Sequence, residues 1–186
     1  GSSKSWAYLF QSLTTSFRVI AWDAPSFGAS NTFGDSIEDF NNAAKALMNN
    51  LEIKDAVLVG HSMGGLVALR LATDQDVLVS GLILSSTHLG FGQPKGKALI
   101  PRYADRIERI NSRGVNIAYG IDRAKGSTPK GTSDTVIQFL AKIAMGSRME
   151  GIRDGGRMSQ ETDNADICSQ VSVPVLILSG EKDTVI

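Results

Sequence analysis

Residues 57–73 read VLVGHSMGGLVALRLAT and place a serine where an apolar strand passes into an apolar helix. The run 57–59 is apolar and mostly β-branched, as in a buried strand, and 63–73 has the length and spacing of a buried helix. Ser62 lies at the junction, with Gly60 and Gly64 two residues away on either side. This G-x-S-x-G pattern in a strand-turn-helix context predicts a sharp turn that exposes a serine hydroxyl. We expect Gly60 and Gly64 to be required because neighbouring backbone approaches them without a Cβ clash.

Other short apolar runs recur along the chain and are separated by helical patterns. Nearly continuous apolar runs are typical of parallel strands that are covered on both faces. The four predicted strands are 17–22 (FRVIAW), 56–59 (AVLV), 79–85 (VSGLILS) and 173–178 (VPVLIL). Between the first two, Ser36 and Asp39 are placed as a capping box at the start of a helix of about four turns. The pattern therefore predicts an α/β fold with a mostly parallel sheet covered by helices.

The stretch 90–165 lacks a convincing strand, and its glycines and prolines divide it into short helical patterns. Four helices are predicted within it, at 100–110, 115–121, 135–145 and 151–158. We therefore expect three regions along the chain. Residues 1–89 form the first part of the sheet core, 90–165 form an inserted helical cap, and 166–186 return to the core.

Composition excludes several classes of protein. The chain has 186 residues, of which 42% are hydrophobic and 20% charged, enough for one sizeable core. Nineteen basic and nineteen acidic residues leave no net charge, so nucleic acid is not an expected partner. No apolar run approaches the roughly 20 residues that span a bilayer, so no membrane association is expected either. The single Cys168 excludes an internal disulfide and favours a reducing, cytoplasmic setting. A lone cysteine cannot make a thiolate metal cluster, and the turn 60–65 matches neither phosphate-binding glycine pattern. No metal and no cofactor are expected.

Three motifs together resemble those of the α/β-hydrolase superfamily over nearly the whole chain. They are VLVGHSMGG (57–65), WDAPSFGAS (22–30) and LILSGEKDTVI (176–186). Within the superfamily, the 3-oxoadipate enol-lactonase-like esterases are the nearest general likeness. The resemblance implies an α/β-hydrolase fold with an inserted helical cap. It also implies that Ser62 is the nucleophile, that the Met63 N–H contributes to the oxyanion hole, and that Asp183 orients a catalytic histidine.

The chain departs from the family pattern in three places. Ser26 replaces the usual first glycine after Pro25, and the opening GSSKSW resembles the tail of the family's oxyanion loop without its His-Gly part. The family's histidine follows a further strand after the acid, beyond Ile186. We therefore expect a piece truncated at both ends and inactive alone, since loss of the base from such a triad costs about 10⁴-fold.

The two histidines of this chain are poor candidates for the missing base. The elbow directs the side chain of His61, the residue before the nucleophile, away from the serine. His88 follows the third predicted strand and lies where catalytic loops gather, so lining the substrate pocket is its more plausible role. The predicted pocket residues are Trp6, Phe27, His61, His88 and Leu89.

The sequence thus predicts a serine hydrolase of a small carboxylic ester, lactone or thioester, acting through an acyl-enzyme on Ser62. Two alternatives stay open. A carbon–carbon bond hydrolase or a cofactor-free perhydrolase uses the same triad, and a non-catalytic ligand receptor uses the same fold. Oligomeric state is not predicted. A further choice concerns four arginines at helical spacing, which form either a solvated face or an anion-binding surface of the cap: Arg102, Arg106, Arg109 and Arg113.

Overall fold

The computed structural model describes residues 1–183 and divides the chain into two compact units. The helical unit comprises Gly1–Thr32 and Pro101–Arg153, and the sheet unit comprises Phe33–Ile100 and Asp154–Ile186. No helix among the described residues combines the length and the apolar character that crossing a membrane requires. The predicted division into core and cap at residues 90 and 165 stays a prediction.

Seven α-helices and three strands occur within the described residues. The helices are α1 (Ala7–Leu13), α2 (Ile37–Asn50), α3 (Met63–Ala72), α4 (Pro101–Arg113), α5 (Ile117–Gly126), α6 (Asp134–Met145) and α7 (Met149–Glu161). The strands are β1 (Ala56–His61), β2 (Val79–Ser85) and β3 (Val175–Leu178). Two short 3₁₀ helices, Ser3–Trp6 and Ala165–Gln170, complete the list.

The sheet unit is built on a parallel sheet in the order β1-β2-β3. Helix α3 packs on β1 and β2. The side chains that join them form an apolar core of Ala68, Leu69, Leu82 and Leu84. Two parallel strands joined by a helix form the strand-helix-strand unit of α/β proteins, so the predicted fold class is confirmed.

Helix α2 begins where the sequence predicts. The Ser36 hydroxyl accepts from the Asp39 N–H at 3.1 Å, and the Asp39 carboxylate accepts from the Ser36 N–H at 3.1 Å. This reciprocal capping box satisfies two backbone donors that a helix start otherwise leaves unpaired. Phe40 and Ala44 of the same helix are buried.

Two expectations about strands are wrong. Residues 17–22 form no strand, because within the described chain this apolar stretch has no neighbouring strand with which to form a ladder. The last strand starts at Val175 rather than at residue 173, and its four side chains are exposed, Ile177 by 71%, although coverage on both faces is expected. The reason is that the described helix α3 packs on β1 and β2 rather than on β3.

The helical unit contains a close pair of helices, α5 and α6. Ala124, Ile137 and Ala141 are buried between them, with Ile121 and Leu140 packed alongside. A Cβ on Gly120 would lie 2.6 Å from the Ala141 carbonyl oxygen, so this glycine lets the two backbones approach. Helices occur at all four places predicted within 90–165, whereas α1 is not predicted by the sequence pattern.

Candidate active site

The turn between β1 and α3 holds Ser62 in an unusual backbone conformation. Its φ is 50° and its ψ is −124°, a region that costs a non-glycine residue about 1–3 kcal/mol. The surrounding hydrogen bonds enforce it. The Ser62 N–H donates to the Ser85 carbonyl of β2 at 3.0 Å, and the Ser62 carbonyl accepts from the Gly65 N–H at 2.9 Å. Such strain in a tightly held turn is a feature of functional sites.

The glycines around this turn differ in how closely other atoms approach them. A Cβ on Gly60 would lie 2.6 Å from the Gly65 Cα and 2.8 Å from the Gly64 carbonyl oxygen, so the expected close approach exists there. The same expectation for Gly64 is wrong, since a Cβ at that position would meet nothing within 4 Å. The second tight contact is instead at Gly65, where a Cβ would lie 2.3 Å from Thr87 Oγ1.

Thr87 holds the turn through a hydrogen bond, and it is not among the site residues that the sequence predicts. Its hydroxyl donates to the Ser62 carbonyl at 2.6 Å, which gives that carbonyl a second donor besides the Gly65 N–H. The sequence feature that could have identified Thr87 is its position two residues after β2. The carboxyl ends of neighbouring parallel strands meet at one edge of the sheet, so this position is close to the serine turn. Sequence alone did not distinguish it from the adjacent Ser85 and Ser86.

Two polar groups of the turn form no hydrogen bond within the described residues. Within residues 1–183, the Ser62 hydroxyl has no hydrogen-bond partner and the Met63 N–H donates to no acceptor. Met63 is the first residue of α3, where the aligned peptide dipoles place partial positive charge. The arrangement therefore offers a half-buried hydroxyl beside an N–H donor at a helix N-terminus.

Asp183 lies in the turn that follows β3. Its N–H donates to the Gly180 carbonyl at 3.0 Å, and its side chain is half-buried. The Ser86 N–H donates to the Leu178 carbonyl at 2.8 Å, which extends the pairing of β2 and β3 to the end of the sheet. Because parallel strands lie about 4.8 Å apart, the backbones at the ends of β1 and β3 are roughly 10 Å apart on one edge. The structure thus brings Ser62 and Asp183 to the same sheet edge, with β2 between them.

His61 is the last residue of β1 and His88 follows β2 at this edge, and both side chains form local hydrogen bonds. His61 Nδ1 lies 3.1 Å from the Ser85 carbonyl oxygen, so Nδ1 carries the proton that it donates there. His88 Nδ1 accepts from the Gly90 N–H at 3.0 Å, and its ring lies 4.6 Å from that of Phe91. Neither ring contacts the Ser62 hydroxyl, which has no partner in the described chain.

The remaining predicted pocket residues are divided between the units. Leu89 is exposed in the sheet unit and its carbonyl accepts from the Asn164 N–H at 2.8 Å. Trp6 and Phe27 belong to the helical unit, where the Phe27 ring would lie 3.1 Å from a Cβ on Gly151. The grouping of these residues into one substrate pocket stays a prediction.

The second motif of the sequence, 22–30, forms a turn organised by Asp23. Its carboxylate accepts from the Ser3 N–H at 2.7 Å and the Ala29 N–H at 2.9 Å. Burial raises the pKa of Asp23, but these donors outweigh it and the pKa lies below its ordinary value. Ser26 is buried and adopts φ 67°, the left-handed region that glycine favours.

A cavity of about 250 Å³ lies at the end of α5 and the start of α6. Residues of the segment 125–137 line it, and none of the predicted site residues is among them.

Comparison with known proteins shows the family. The chain matches the model of the alpha/beta hydrolase family over residues 1–186, and it belongs to that family. The predicted membership of the α/β-hydrolase superfamily and the predicted α/β-hydrolase fold are therefore confirmed.

Among curated proteins, a 2-hydroxy-6-oxononadienedioate/2-hydroxy-6-oxononatrienedioate hydrolase from Pseudomonas sp is 34% identical over 96 residues, which cover 50% of this chain and 32% of that protein. Among solved structures, a thermophilic esterase from Thermogutta terrifontis has a TM-score of 0.81 and 25% identity, covering 98% of this chain and 68% of that one. The enol-lactonase from Burkholderia xenovorans LB400 has a TM-score of 0.79 and 22% identity, covering 97% of this chain and 68% of that one.

The first curated relatives are longer than the part that they share with this chain. Their matched stretches cover 36% and 32% of their lengths.

Proposed function

We propose that the protein is a serine hydrolase of a small carboxylic ester, lactone or thioester, with Ser62 as the nucleophile. The observation that carries the proposal is the strained turn at Ser62. Its φ of 50° presents a half-buried hydroxyl that has no partner within the described residues, directly beside the unused Met63 N–H. Membership of the alpha/beta hydrolase family supports the same chemistry.

The proposed reaction begins with attack of Ser62 Oγ on the substrate carbonyl carbon. The carbonyl oxygen becomes an oxyanion and accepts from the Met63 N–H, where the N-terminus of α3 adds favourable partial charge. The leaving alcohol or thiol departs with a proton, and an acyl ester remains on Ser62. Water then attacks this ester and releases the carboxylic acid.

The general base is proposed to be a histidine that Asp183 holds in the correct tautomer. Neither His61 nor His88 suits this role, because neither ring forms a hydrogen bond with the Ser62 hydroxyl within the described residues and a general base must reach that proton. The position of Asp183 on the same sheet edge as Ser62 supports its role, since an imidazole between them must reach both.

The test is labelling of the full-length protein with a fluorophosphonate probe, followed by peptide mass analysis. We expect a covalent adduct on Ser62 and none in the Ser62→Ala variant. The matched control is Ser86→Ala, because Ser86 also has a positive φ, 38°, and lies at the same sheet edge. It should label as the wild type does.

The results separate the candidate functions. Labelling at Ser62 together with turnover of short 4-nitrophenyl esters supports the hydrolase. A folded protein that binds small ligands but shows no label would contradict it and favour a non-catalytic receptor.

Hydrolysis of a carbon–carbon bond by the same serine is the second candidate. The matched protein from Pseudomonas sp is by its name a hydrolase of a 2-hydroxy-6-oxo dioate, and it is 34% identical to this chain where the two align. Labelling at Ser62 without turnover of any ester, lactone or thioester would favour this candidate.

A further inference from the structure

An arginine cluster in the helical unit lacks compensating charge. Arg106 and Arg109 of α4 both contact α5, the helix of Arg123, because Arg106 donates to the Tyr119 hydroxyl and Arg109 pairs with Asp122. The carboxylate of Asp122 is exposed and lies 3.3 Å from Arg109. Asp105 and Glu108, the acidic residues of α4, form no ion pair with these arginines in the described part of the chain. Arg106 and Arg123 themselves form no ion pair with a carboxylate among the described residues.

Neutral oxygen atoms position one of these arginines. Arg106 Nε donates to the Tyr119 hydroxyl at 2.9 Å, and Arg106 Nη2 donates to the Ser147 hydroxyl at 3.0 Å. Tyr119 is buried, so the first of these bonds is anchored in the packed part of the helical unit. A guanidinium fixed by neutral hydroxyls keeps its full charge and its remaining N–H donors for another partner.

Arg123 is the least satisfied member of the cluster. Its side chain is half-buried, and it has no hydrogen bond or ion pair within residues 1–183. Burial, and after it the charges of Arg106 and Arg109, lower the pKa of Arg123, whereas Tyr119 and Asp122 act in the opposite direction. Holding like charges together while removing one from water is unfavourable unless an anion joins them.

We propose that Arg106, Arg109 and Arg123 form a binding site for an oxyanion, a carboxylate or a phosphate group. Guanidinium groups suit such a ligand because their planar N–H forks donate to two oxygens at once. The site differs from the arginine face that the sequence suggested. It takes Arg106 and Arg109 from that face, adds Arg123 from the neighbouring helix, and leaves Arg113 exposed at the end of α4.

The binding test measures the thermal unfolding midpoint of the full-length protein against added inorganic phosphate and, separately, glutarate. Sodium chloride keeps the ionic strength constant. We expect both anions to raise the midpoint of the wild type, and the apparent affinity to fall at least tenfold in Arg123→Gln. Arg113→Gln is the matched control, since it removes the same charge from an exposed site of α4, and it should respond as the wild type does.

The outcomes decide for or against the site. Equal responses in Arg123→Gln and the wild type, or no response in the wild type, would overturn the proposal. If Arg123→Gln does not fold, Arg109→Gln is measured instead, because its exposed side chain can be replaced with little effect on packing, and the same criterion applies to it.

A kinetic comparison distinguishes an anionic group of the substrate from a free anion in solution. It rests on the proposed hydrolase function. The substrates are 4-nitrophenyl hydrogen glutarate and 4-nitrophenyl pentanoate, which are matched in length. A loss of preference for the glutarate in Arg123→Gln assigns the anion to the substrate. An unchanged preference, with anion binding lost, assigns it to a free anion. Absence of hydrolysis would remove the proposed function and leave the binding result valid.

Discussion

Replacement of Gly65 by alanine tests how the serine turn is held. The new Cβ would lie 2.3 Å from Thr87 Oγ1 and 2.6 Å from Thr87 Cβ. Rotation of the Thr87 side chain removes the first clash but not the second, because Cβ is fixed to the backbone. Thr87 must therefore shift, and its 2.6 Å hydrogen bond to the Ser62 carbonyl is lost or weakened.

The expected cost follows from three contributions. Overpacking of a closely packed site costs about 1–3 kcal/mol, and loss of one hydrogen bond costs about 0.5–1.5 kcal/mol. Alanine offsets up to about 1 kcal/mol because it is the better helix former. We expect Gly65→Ala to lower the free energy of unfolding by about 0.5–4.5 kcal/mol.

The matched control is Gly64→Ala, one residue earlier in α3. Its Cβ meets nothing within 4 Å, so helix preference alone acts and the expected change is a gain of up to about 1 kcal/mol. Urea unfolding followed by circular dichroism measures both variants. The reasoning is refuted if the two variants change the stability equally, or if Gly64→Ala is the more destabilising.

Two further predictions concern the two units separately. Gly120→Ala should destabilise the helical unit by about 1–3 kcal/mol because its Cβ would lie 2.6 Å from the Ala141 carbonyl oxygen. Gly126→Ala in the same helix meets nothing within 4 Å and should not destabilise; similar losses of urea resistance in both would contradict this account. In the sheet unit, the Ser36 hydroxyl lowers the pKa of Asp39 from its ordinary 3.8, so ionised Asp39 stabilises the fold above that pH. We therefore expect Asp39→Asn to cost about 1 kcal/mol at pH 7, and the difference from the wild type to disappear only as the pH falls from about 4 through the lowered pKa of Asp39. A difference that persists at pH 2 would show that the cap does not act through the ionised carboxylate.

The sequence by itself determined the local parts of this fold. The turn at Ser62, the capping box at Ser36 and the helices within 90–165 all follow from residues that lie near one another in the chain. Helix periodicity, cap hydrogen bonds and glycine at a crowded turn act over a few residues, so a short stretch contains their physical cause.

The tertiary structure decided everything that depends on a distant partner. The apolar stretch 17–22 has strand composition, but a strand also needs a neighbour. The steric need for glycine at Gly65 rather than Gly64 arises from Thr87, and the arginine cluster includes Arg123 of another helix. Ladder bonds, steric contact and electrostatic interaction all depend on distance in space. Residue type and spacing do not determine that distance, because it is fixed only when the helices and strands pack together.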